Sequence, residues 1–119
     1  MRLHERAAQT WAVLAWAAHH RQNMTYQQLS QATGMFTGGL GNVLALIQEY
    51  CKARQLPPLT VLVVQKDTGK PGLGFEGQDI ALAQAQVFNF DWLTHGNPQP
   101  EGLIRKAAPV MDTALPEAP

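Results

Sequence analysis

Cys51, the pair His19-His20, and the series Thr37, Asn42 and Gln48 are the residues of this chain whose types and spacing bear on chemistry. A thiol becomes a nucleophile when a base or a positive field draws off its proton. Cys51 has no such base beside it and falls on an apolar stripe, so it reads as inert. Adjacent histidines diverge by about 100° around a helix, whereas a shared metal takes i, i+4 spacing. His19 and His20 therefore read as positive character at the end of a helix. Asp67, Asp79 and Asp91 are scattered without a metal-ligand pattern, and no Ser/His/Asp or Cys/His motif occurs. Gly69-Lys70 is followed by Pro71 where a phosphate-binding loop has Ser or Thr, and Gly38-Gly39-Leu40-Gly41 lacks the dinucleotide spacing. The expectation is a protein that is not an enzyme, with no metal, cofactor or small-molecule substrate. Asn and Gln, by contrast, can pair bidentately with adenine, and Thr can contact a base or a phosphate. Thr37, Asn42 and Gln48 thus point toward double-stranded DNA.

The elements that must position these residues are legible in part. Leu3, Ala7, Trp11, Leu14 and Ala18 fall on one face of a first helix ending near Arg21. Thr25-x-x-Gln28 is a capping box that opens a second helix. Leu29 and Ala32 face inward from it, and Gly34 turns the chain. Gly38-Gly39-Leu40-Gly41 opens a third helix striped by Leu40, Val43, Leu44, Ile47, Tyr50 and Cys51. Asn42, Ala45, Gln48, Glu49 and Lys52 face away. Pro57-Pro58 ends the helix, and the β-branched run Leu59 to Val64 predicts a strand. Lys66 to Gly74 predicts a hairpin loop with a short return strand near Phe75. Asp79 caps a helix running to about Val87, and Phe88 to Trp92 alternates like an extended segment lying back on the core. This order predicts an α+β fold, a mainly helical winged helix-turn-helix with a small β-hairpin wing.

Thr25-Tyr26-Gln27-Gln28-Leu29-Ser30, Gly34, Gly38-Gly39-Leu40-Gly41-Asn42-Val43-Leu44, Pro57 to Val64 and Gly69 to Gly74 follow one another in a family-like order. The stretch resembles the DNA-binding domain of the methylguanine methyltransferases and alkyltransferase-like proteins. That resemblance covers under half the chain and implies a shared winged-helix layout. The nucleophilic Cys and its His have no counterpart near Pro58, and Gly38 stands where those proteins carry the arginine that enters the duplex. Alkyl transfer is therefore not expected, and glycine cannot fill a vacated base stack. Tyr50-Cys51, Leu56 to Thr60 and Pro71-Gly72-x-Gly74-Phe75 are also similar to small uncharacterised bacterial proteins.

The DNA reading assigns Thr37, Gly38, Asn42 and Gln48 to the groove, and Lys52, Lys66 and Lys70 to phosphates. Net charge is zero, with seven Lys/Arg against three acidic residues up to position 70 and the reverse bias beyond it. A balanced surface argues against a strongly electrostatic binder and keeps a protein-interaction adaptor or inhibitor, or a homodimer, as the alternative. Trp16 and Phe36 are the candidate partner contacts, although the later aromatic segment is expected to cover Trp16. The chain has 119 residues, 45% of them hydrophobic, which suits one folded domain over 1–95. Pro98, Pro100, Pro109, Pro116 and Pro119 mark 96–119 as a loosely ordered tail. A single cysteine and the absence of a signal-like or membrane-spanning run place the expectation in the cytoplasm.

Overall fold

Trp11 sits fully buried halfway along the first helix, and three aromatic rings close around it. The computed structural model describes residues 2–72, 75 and 78–104. Helix α1 (Leu3–His19) buries Ala7, Thr10, Trp11, Leu14, Ala15, Ala17 and Ala18. The small alanines let other elements approach the helix closely, and α1 packs against most of the rest of the fold. Tyr50 meets Trp11 edge-on with ring centres 5.3 Å apart, and Trp92 does so at 5.6 Å. Trp92 donates its indole N–H to the Val87 carbonyl at 2.8 Å, which fixes its ring.

After α1 the chain turns through Arg21, whose φ of 55° is left-handed. The Arg21 guanidinium donates to the Phe88 carbonyl and the Asn89 side chain. Strand β1 (Met24–Thr25) leads straight into α2 (Tyr26–Thr33). The capping box forms as its sequence implies, with Gln28 N–H donating to Thr25 Oγ1 and Thr25 N–H donating to Gln28 Oε1. Gly34 ends α2 at φ 76°, a conformation that glycine adopts without strain. A 3-10 turn (Thr37–Gly39) runs into α3 (Leu40–Ala53), whose buried stripe includes Leu40, Val43, Leu44, Ile47 and Cys51. The element order continues with β2 (Val63–Val64), α4 (Ile80–Asn89), capped by Asp79, and the single-turn α5 (Trp92–His95), capped by Asp91.

The fold is therefore mostly helical with a small sheet, in the α+β class, but the sheet is not the expected hairpin. Strands β1 and β2 pair in parallel, Met24 against Val63 and Thr25 against Val64. Only Val63 and Val64 of the β-branched run are strand. Residues Leu59–Leu62 form a 3-10 turn, with Val61 N–H donating to the Pro58 carbonyl. Strand β1 offers two residues to pair with, so the remaining amides take local i→i+3 bonds instead. Beyond β2 the chain returns through a single antiparallel bridge from Val64 to Pro71, and Phe75 is not in a strand. The rest of the expected return, at 73 and 74, lies outside the described residues.

Four further expectations change. Ala32 is exposed, because Leu29 and Thr33 carry the buried face of α2. Phe88 and Asn89 finish α4, and Trp92 starts α5, where an extended segment was expected. That segment turns its rings toward Trp11, so Trp16 stays 57% exposed. Packing also continues past position 95. Pro100–Leu103 forms a 3-10 turn against α1 and buries Leu103, which joins 96–104 to the domain. Residues 105–119 lie outside the described residues. Among those described, no helix is long and apolar enough to cross a membrane.

Leu103→Ala should lower the unfolding free energy by about 2–5 kcal/mol, and Thr25→Ala by about 1 kcal/mol. Urea denaturation followed by circular dichroism measures both. An unchanged midpoint for Leu103→Ala would mean that the turn at 100–103 contributes nothing to the core.

Candidate functional site

The turn between α2 and α3 presents the most exposed large apolar side chain among the described residues. Phe36 is 77% exposed. Its ring lies over the following glycines, and a Cβ placed on Gly38 would come 2.8 Å from the ring edge. Neither the 3-10 turn nor α3 has a side-chain cap at its start. Thr37, Gly38, Gly41 and Asn42 are all exposed on this stretch. Gly38 lies in the 3-10 turn, and Asn42 follows four residues later in the first turn of α3. Phe36, Thr37, Gly38 and Asn42 thus lie on one exposed stretch of chain.

The other predicted site residues are spread out. Gln48 is half-buried at the edge of the apolar stripe, with contacts of its own. Lys52 is exposed in the last turn of α3, about 15 Å from Asn42 at 1.5 Å per residue. Lys66 and Lys70 are exposed on the loop that follows β2. Gly69 donates to the Gln65 carbonyl, and Gln65 donates to the Lys70 carbonyl, both at 2.8 Å. The loop is tied to α2 as well. The Tyr26 hydroxyl lies against Gly72, and a Cβ on Gly72 would collide with that oxygen. Burial raises the Tyr26 pKa above its usual value and outweighs the opposing effect of the Gly72 backbone. This tie connects the lysine loop to the helix pair and was not apparent from the sequence, because Tyr26 and Gly72 are far apart in it.

Residues 22–48 contain no Asp, Glu, Lys, Arg or His. Arg6 approaches the end of α2, where its Nη1 donates to the Thr33 carbonyl and to Gln9. Arg54 lies over the Tyr50 ring, 4.3 Å from its centre.

Trp16 occupies a different surface. Its ring packs on His20, with centres 4.0 Å apart, and His20 Nδ1 sits 2.9 Å from the Trp16 carbonyl. Asp91 near His19 has a lowered pKa, chiefly because Thr94 Oγ1 donates to its carboxylate at 2.7 Å. A shallow open cavity of about 400 Å³ lies between Pro57, Pro58, Gln86 and Phe90. Among the described residues, no group of three or more His, Cys, Asp or Glu side chains could hold a metal. No family model, curated protein or solved structure matches the chain.

Cys51 is buried on the core side of α3, and burial pushes its thiol up to about 11. A thiol held protonated is a poor nucleophile. Its raised folded value stabilises the fold fully below the unfolded value near 9, and that contribution is lost as pH climbs from 9 through 11. Cys51 should therefore resist a thiol reagent at pH 8 until urea unfolds the chain. Cys51→Ala should flatten the fall in stability measured between pH 9 and 11.

Proposed function

We propose that the protein binds double-stranded DNA without catalysing a reaction. In this reading α2 and α3 act as a helix-turn-helix, α3 enters the major groove by its first turns, and the loop at 65–71 serves as a small wing on the backbone. The observation that carries it is the exposed, uncapped start of α3, where Thr37 and Asn42 are exposed and Gly41 leaves the backbone open. A groove-reading helix presents its N-terminal residues to base edges in this way. The Tyr26–Gly72 tie supports the wing by keeping Lys66 and Lys70 on a loop fastened to α2. The likeness to alkyltransferase-like proteins then extends to layout alone, since Gly38 supplies no finger. The cytoplasm is the compartment in which such a protein with one thiol would work.

A second reading uses Trp16. A tryptophan 57% exposed on α1 is a common centre of protein contacts, and here it would join two copies of the chain or hold a protein partner.

Fluorescence anisotropy with mixed-sequence duplexes tests the first reading. Asn42→Ala should weaken binding by about 1–3 kcal/mol at sites containing adenine. Lys70→Glu should weaken binding to all duplexes and reduce the salt dependence. Unchanged affinity in both variants would sink it. Sedimentation across a concentration series tests the second reading. A dimer that Trp16→Ala converts to monomer supports it, and a monomer at all concentrations removes the homodimer.

A further inference from the structure

We infer that the bases read by this surface are those of A·T pairs, with Phe36 packed on the C5-methyl of thymine and Asn42 paired with the adenine edge. The inference rests on the DNA-binding reading and narrows its substrate. In the major groove, guanine is read chiefly by Arg or Lys on its O6 and N7, and cytosine by Asp or Glu on its amino group. Residues 22–48 hold none of these. The nearest acid on the outward face of α3, Glu49, is seven residues beyond Asn42, about 10 Å further along the helix. Arg6 is the cation closest to the end of α2, and its Nη1 is bound to Thr33 and Gln9.

What the surface does hold matches the other base pair. Asn can donate to adenine N7 and accept from its N6 amino group. Thymine alone displays a methyl in the groove, and an apolar side chain is the group that contacts it favourably. Phe36 is 77% exposed over Gly38 and Gly39, and Asn42 is exposed in the first turn of the helix that follows, so both are open to one groove. Nothing lies within 4 Å of a Cβ at Gly41, so the backbone there is open to that groove.

The test compares three labelled duplexes of equal length at low salt: A·T only, G·C only, and A·T with every thymine replaced by uracil. Uracil removes the methyl and leaves the minor groove pattern and the charge unchanged. The A·T duplex should bind at least tenfold tighter than the G·C duplex. Loss of one buried methyl should weaken binding by about fourfold for each methyl contacted. Phe36→Ala should bind the thymine and uracil duplexes alike, while Asn42→Ala should still distinguish them. Phe36 is on the surface, so its truncation leaves the core intact. Salt-sensitive binding that treats A·T and G·C alike, or thymine and uracil alike, would overturn the inference and leave the DNA reading standing. No binding to any duplex at low salt would remove the DNA reading, and the base preference with it.

Discussion

Everything else in this fold depends on keeping Trp11 out of water. Its side chain is the largest wholly enclosed group, and it is enclosed by rings from α3 and α5 rather than by its own helix. Edge-to-face pairs of this kind contribute about 0.5–1.5 kcal/mol each beyond the area they bury. The arrangement has a cost, because the Trp11 indole N–H is buried with no acceptor among the described residues. An unmade hydrogen bond of that kind costs about 1–3 kcal/mol, which the surrounding apolar contacts must exceed. The result is that α3 cannot rotate without opening the centre of the molecule. A helix held in one rotation presents one fixed outward row, and Asn42 belongs to that row.

The parts of the fold that were legible in the sequence are those decided within four residues. Thr25 with Gln28, the left-handed Gly34 and the Asp79 cap are local hydrogen-bond solutions, and local spacing is enough to recognise them. The parts that were not legible depend on a neighbour that local spacing does not reveal. Leu59–Leu62 has the composition of a strand but has no partner strand among the described residues. Trp16 has the composition of a core residue, yet the aromatic segment that would have covered it goes to Trp11. Leu103 sits among prolines that suggest a loose tail, and it is buried because α1 leaves room for it.

The candidate site divides the same way. Thr37, Gly38 and Asn42 could be placed on an exposed helix start because the apolar stripe of α3 defines its opposite face. Gln48 could not be placed so well, since it stands at the border of that stripe. The lysines at 66 and 70 were legible as loop residues, but nothing in their surroundings reveals that the loop is fastened to α2.

That fastening has an evolutionary consequence. The Tyr26 hydroxyl occupies the space a side chain at position 72 would need. The two positions are therefore not free to drift independently. A side chain at 72 needs the Tyr26 ring to swing aside or the residue at 26 to be smaller, so what either position tolerates depends on what the other holds.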